Sequence, residues 1–180
     1  AENCMTTFVL PIFAAVPRRA KANFVGIPLH SQAVQERLLR ELLLTHKDTE
    51  LGRKYQLGEI KTIDQFRDRI SILPYSSYEP YLERIAAGEQ NLLTPDPVVY
   101  LTLTSGSTGK KKLIPTTRRS QNLVRQATLT SMGFLIEALG ERDLEFGKLL
   151  VTNSVQRWGR TDGGIDYGPA SAGVFRMDNR

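Results

Sequence analysis

Leu101-Thr102-Leu103-Thr104-Ser105-Gly106-Ser107-Thr108-Gly109-Lys110-Lys111-Lys112 joins an alternating, strand-like run to a hydroxyl- and glycine-rich turn that ends in consecutive lysines. Val98 to Thr104 is β-branched and aromatic, with Val99, Leu101 and Leu103 alternating against Tyr100, Thr102 and Thr104, so it predicts a strand that delivers the turn. Lys112 to Pro115 is expected to return as a second strand. Between them, Gly106 and Gly109 permit backbone geometry that a Cβ forbids, which lets successive N–H groups point into one concavity and approach an anion. Ser105, Ser107 and Thr108 add hydroxyl donors, and the lysines add charge. Thr104 stands six places before Lys110, where G-x-x-x-x-G-K-[ST] demands glycine, so the run is not the common P-loop. On the residues alone two readings stay open: a phosphate cradle, and a polar hairpin loop whose Ser, Thr and Gly only satisfy local hydrogen bonds.

The flanking sequence is organised around this unit. Val34, Leu38, Leu39, Leu42 and Leu43 recur at helical spacing from Ser31 to about Lys47, an amphipathic helix whose short length favours core packing over a coiled coil. Thr62 and Gln65 form a capping-box pattern, predicting a short helix to about Arg69. Tyr78 to Ala87 predicts another helix, with Gly88 as its terminator. Beyond Thr117, Leu123, Ala127, Thr130, Phe134 and Leu135 lay out a mainly apolar stripe expected to face the sheet, up to Gly140. Gly147 to Thr152 is expected to be a buried strand. Gly159 to Gly173 is so rich in turn residues that it is expected to form a surface connector without regular structure.

Composition bounds the class. Of 180 residues, 41% are apolar and 24% charged, an ordinary globular balance. The net charge of +5 and pI near 9.5 invite an anionic partner. The basic residues lack interleaved aromatic platforms, and Lys110 to Lys112 with Arg118 and Arg119 suit a triphosphate better than a duplex. With Cys4 as the single cysteine no intrachain disulfide forms, and His30 and His46 are too far apart in sequence to suggest zinc. A reducing cytoplasm is compatible with this. The apolar run Phe8 to Val16 is too short to cross a bilayer, is interrupted by Pro11, and has Arg18, Arg19 and Lys21 after it instead of before, unlike a secretory signal. It reads as a segment that docks on the body of the protein, with Met5 a candidate start.

The order hydrophobic, two residues, Thr-Ser-Gly-Ser-Thr-Gly, two residues, Lys resembles the ATP-pyrophosphate loop of adenylate-forming enzymes. Lys112-Leu113-Ile114-Pro115, the segment from Leu73-Pro74-Tyr75-Ser76-Ser77-Tyr78 to Gly88-Glu89, and Leu92-Leu93 are similar to the acyl-acid amido synthetases, the Gretchen Hagen or auxin-responsive promoter family, in a bacterial-type form. Lys111 departs from the proline many adenylating enzymes place there. The resemblance implies an α/β fold: the N-terminal part of the large domain of an adenylate-forming enzyme, a helical preface followed by a mixed β-sheet with flanking helices. It implies a docking segment over residues 1–30 and a partial large domain over 31–180. The adenine-binding segment, the acidic ribose ligand and the mobile C-terminal domain of the family are not found before Arg180, so the chain is expected to be an N-terminal portion, marginal in stability or prone to association when isolated.

For activity, the resemblance implies an ATP-dependent ligase that adenylates a carboxylic acid and passes the acyl group to an amine, usually of an amino acid. It assigns phosphate contacts to Thr104, Ser105, Gly106, Ser107, Thr108, Gly109, Lys110 and Lys112, with Lys112 the main ammonium and Lys110 and Lys111 screening charges. ATP and Mg2+ are the implied cofactors; no magnesium ligand is identified in this chain, Asp162 or Asp166 being the weak suggestion the sequence offers. The implied partners are small acids and amino acids, with neither nucleic acid nor membrane, in the cytoplasm. An acyl-CoA-synthetase-like enzyme and a phosphate-binding module without turnover are the alternatives.

Overall fold

A computed structural model describes residues 4–26, 31–104, 111–139 and 156–175. The chain divides into two compact units, residues 1–31 with 122–152 and residues 32–121 with 153–180. The second unit opens with the expected helical preface: α2 (Ser31–His46), α3 (Glu50–Lys54), α4 (Ile63–Arg69) and α5 (Glu79–Ala86). The predicted strands follow as β1 (Val98–Thr104) and β2 (Lys112–Thr117).

Local chemistry sets the helix ends. Thr62 Oγ1 accepts the Gln65 N–H at 3.2 Å, but the Gln65 side chain accepts from the Lys61 N–H at 2.8 Å, one residue before the cap, so the reciprocal half of the box is displaced. Thr49, which the sequence reading passed over, caps α3: its buried hydroxyl accepts from Gly52 N–H at 2.9 Å and donates to His46 C=O at 2.8 Å. α5 ends in a Schellman pattern, with Gly88 N–H bonded to Ile85 C=O, Glu89 N–H to Arg84 C=O, and Gly88 at φ +99°.

The sheet has the order β2-β1-β4-β3. β2 runs antiparallel to β1 with Leu103 opposite Leu113 and Thr104 opposite Lys112. The expected alternation along β1 gives way to burial on both faces: Tyr100 is 1% exposed, Leu101 0%, and Thr102 is also buried. Leu101 joins Leu82, Ile85 and Leu92 in the core, flanked by Tyr75, Tyr78, Leu113 and Ile165. The neighbouring Tyr100 points to the opposite face, where Gly173 comes so close that a Cβ there would lie 2.5 Å from the Tyr100 ring.

The largest departure from expectation is the glycine-rich tail. It forms β3 (Gly159–Arg160), β4 (Asp166–Gly168) and α7 (Ala170–Phe175). β4 pairs in parallel with β1, Leu101 opposite Tyr167, and β3 pairs antiparallel with β4. A partner backbone, absent from any local sequence window, supplies the bonds that propensity does not. The turn between β3 and β4 abuts the end of α5: Gly163 N–H donates to Ala86 C=O at 3.1 Å, and a Cβ on Gly163 would lie 2.2 Å from Gly88 N. The strand expected over Gly147 to Thr152 lies outside the described residues.

In the first unit, α1 (Cys4–Val25) continues through Pro11 and Pro17. A proline costs its helix one hydrogen bond and a local clash, which can bend a long helix without ending it. α1 packs against the later turns of α6 (Arg118–Leu139): Phe24 meets Phe134 edge-on at 6.3 Å, Lys21 pairs with Glu137, and a Cβ on Gly133 would lie 2.3 Å from Pro17 C=O. The apolar stripe expected to be buried is largely exposed instead, including Leu123 and Leu135, and Gly133 is the residue of α6 that is buried among those described. Close helix approach at Gly133 and the Phe134 ring, one member of the stripe, make this contact.

Arg84 links three segments. Its guanidinium forms a bidentate pair with Glu50 of α3, at 2.7 and 2.8 Å, and also bonds Glu89. Hydrogen bonds from Arg84 hold both carboxyls below the ordinary glutamate range, and the same bonds raise the guanidinium. Depressed carboxyls stabilise the fold fully above their unfolded value of about 4.3 and progressively less as pH falls through the native values. Arg84→Ala is therefore expected to lower the urea midpoint at pH 7, with the gap to wild type narrowing below about pH 4.3. Gly163→Ala is expected to cost about 1–3 kcal/mol by overpacking against Gly88, read as a lower urea midpoint at unchanged m-value.

Candidate functional site

β1 and β4 are parallel, so their carboxyl ends open on the same side of the sheet, the side where open α/β sheets bind ligands. The hydroxyl- and glycine-rich turn leaves from this end. Thr104 and Lys112 are brought together as cross-strand partners at the base of the turn. Ser105, Gly106, Ser107, Thr108, Gly109 and Lys110 lie outside the described residues.

Lys112 is half-buried, with Nζ 5.2 Å from the centroid of the Tyr75 ring. The Tyr75 hydroxyl accepts from Leu113 N–H at 2.8 Å and lies 3.2 Å from Leu113 C=O, to which it donates. Lys111, expected to be a solvated screening charge, has Nζ 5.4 Å from the ring centroid of Trp158, which is 55% exposed. A lysine over an aromatic face gains about 0.5–1 kcal/mol at such sites. The Trp158 backbone is held by its main-chain N–H, which donates to Tyr167 C=O at 2.9 Å. Tyr75 and Trp158 are the residues that sequence reasoning missed. Their partners lie 37 and 47 positions away in the chain, as the numbering shows, so no local pattern announces them.

The basic cluster suggested by the sequence is divided. Lys111 and Lys112 stand at one end of β2 and Arg118 and Arg119 at the other. At about 3.3 Å per strand residue the two groups are about 20 Å apart, so Arg118 and Arg119 do not join the lysines around one triphosphate.

Asp166 is also reassigned. Its carboxylate is buried and receives Arg160 Nε at 2.9 Å and Arg157 at 3.3 Å, which makes it the electrostatic anchor of the β3–β4 hairpin and not an open magnesium ligand. Asp162 lies exposed in the hairpin turn. Among the described residues no group of three or more His, Cys, Asp or Glu is arranged to hold a metal, and no helix is long and apolar enough to cross a membrane.

A mixed sheet stands behind a helical preface, with the Ser/Thr/Gly-rich sequence at the carboxyl end of its parallel pair. The structure superimposes on a solved GH3.15 acyl acid amido synthetase with a TM-score of 0.78 at 23% identity, covering 89% of this chain and 29% of that one. Residues 21–180 match the GH3 family N-terminal domain, and the chain belongs to that family. It is 32% identical over 149 residues to an indole-3-acetic acid-amido synthetase of Oryza sativa subsp. indica, covering 82% of this chain and 24% of that protein. It is 29% identical over 152 residues to a probable indole-3-acetic acid-amido synthetase of Arabidopsis thaliana, covering 83% and 25%. A jasmonoyl-L-amino acid synthetase of Nicotiana attenuata is 30% identical over 160 residues, covering 86% and 26%. The chain thus spans about a quarter of the length of these relatives.

Asp166→Asn removes the charge that Arg157 and Arg160 share and is expected to cost about 1.5–3 kcal/mol. Trp158 is the only tryptophan in the chain. Its emission on urea titration gives the readout, with an earlier transition expected in the variant.

Proposed function

We propose that the turn from Thr104 to Lys112 is the nucleotide-phosphate site of an ATP-dependent ligase that adenylates a carboxylic acid and transfers the acyl group to the amine of an amino acid. The observation that carries this reading is the β1–β2 hairpin, which sets Thr104 opposite Lys112 at the base of a Ser/Thr/Gly turn in a chain of the GH3 family. The names of the relatives, two indole-3-acetic acid-amido synthetases and a jasmonoyl-L-amino acid synthetase, favour amide over thioester formation.

In the first half-reaction a carboxylate oxygen bonds to the α-phosphorus of ATP, the bond from that phosphorus to the bridging oxygen breaks, and pyrophosphate leaves with the electron pair. In the second, the amine attacks the acyl carbon and AMP departs. Negative charge grows on the leaving pyrophosphate, so oriented donors and a fixed cation accelerate the first step more than a general acid would. The residues proposed for this are Ser105, Gly106, Ser107, Thr108 and Gly109 through N–H and hydroxyl groups, and Lys112 through its ammonium, with Thr104 at the entry and Lys110 as an outer charge. Mg2+ is proposed as the counter-ion of the nucleotide phosphates, with no ligand assigned among the described residues. The reducing, ATP-rich cytoplasm is the proposed location, consistent with a chain carrying one cysteine.

The test is ATP–pyrophosphate exchange with a panel of aromatic and aliphatic acids, on this chain and on any longer polypeptide encoded by the same reading frame. Acid-dependent exchange is the expected result. ATP binding by folded protein without exchange from either would replace the reading with that of a phosphate-binding module. Lys112→Ala is expected to slow exchange about 10²-fold, and Lys110→Ala by a much smaller factor. Equal losses would mean a diffuse basic patch.

A further inference from the structure

We infer that Tyr75 is a positioning residue for the phosphate site, holding the exit strand of the turn by its hydroxyl and the Lys112 ammonium by its ring. The inference rests on the nucleotide reading above and assigns it a residue 29 positions upstream of Thr104.

β2 lies at the edge of the sheet, so alternate peptide groups along it face away from β1 and need other partners. At Leu113, the second residue of β2, both groups are taken by one side chain: the Tyr75 hydroxyl accepts from the N–H at 2.8 Å and donates to the C=O at 3.2 Å. Tyr75 thereby replaces one rung of a missing strand. It does so at the first point where the chain returns from the turn, where a shift of the backbone would move Lys112 most.

The ring serves a separate purpose. Lysine has a flexible four-carbon stem and loses rotamer freedom when it is fixed on a ligand. With Nζ 5.2 Å from the Tyr75 centroid, Lys112 is already confined before any anion arrives, and less ordering remains for binding. Tyr75 itself is rigidly placed. It opens a 3₁₀ turn (Tyr75–Ser77) behind Pro74, whose ring fixes the approach, and it packs against the Leu82, Ile85, Leu92 and Leu101 core.

The two roles separate by substitution. Tyr75→Phe keeps the ring and removes both hydrogen bonds, whereas Tyr75→Leu removes the ring as well. In the whole protein, titration with ATP, pyrophosphate and AMP is expected to show about fivefold weaker binding of ATP and pyrophosphate in Tyr75→Phe. Tyr75→Leu should lose about twofold to fivefold more. AMP affinity should stay within about twofold of wild type in both, because a scaffold defect alone would weaken all three ligands. Combining Tyr75→Leu with Lys112→Ala gives the decisive cycle: the Tyr75 effect should shrink sharply once the ammonium is gone. Wild-type binding with unaltered ATP and pyrophosphate affinities in both Tyr75 variants, equal weakening of AMP, or additive losses in the double variant would overturn the inference and leave the nucleotide reading standing. Folded wild-type protein with no affinity for ATP or pyrophosphate would remove the nucleotide reading and this inference together.

Discussion

Everything in the second unit depends on β1 being bonded on both edges and covered on both faces. β2 and β4 take its two rows of backbone groups, the α5 core covers Leu101, and α7 covers Tyr100. A strand enclosed in this way cannot slip by one residue without exchanging its two buried faces. That fixes where β1 ends, at Thr104, opposite Lys112.

The periphery is held by different forces. At the far edge the hairpin of β3 and β4 contributes few apolar residues; Asp166 between two arginines holds it together internally, and the pairing of β4 with β1 and the fit of Gly163 against Gly88 attach it. At the near edge Tyr75 closes one rung of β2. Beneath both, Arg84 ties α3 to the end of α5 through Glu50 and Glu89, so the helical preface is braced against the segment that leads into β1. Of these devices Tyr75 pairs peptide groups that the small sheet leaves without a strand partner, whereas Asp166 and Arg84 act through side-chain ion pairs.

The lysines beside the turn show how packing and charge cooperate. Lys111 and Lys112 are adjacent in sequence at the start of β2. Each finds an aromatic face, Trp158 for one and Tyr75 for the other. Both aromatic contacts lie beside the Ser/Thr/Gly-rich segment.

Much of this was determined by sequence alone. The strand-turn-strand unit, α2, α4 and the glycine-terminated α5 were legible because their signals are local: apolar period, cap residues, a glycine at positive φ. The family was legible because the turn and its surroundings keep a recognisable order of residues. Only tertiary structure decided the rest. The glycine-rich tail became strands because β1 offered an open edge, which no window around Gly159 to Gly173 contains. The α6 stripe is largely exposed: periodicity reports that a face is apolar and not what covers it, and Gly133 and Phe134 make the contact with α1. Tyr75, Trp158 and Asp166 acquired their roles from partners brought close by the sheet. Such pairings depend on where the backbone travels, and that is settled by the sum of the core, not by any one stretch of residues.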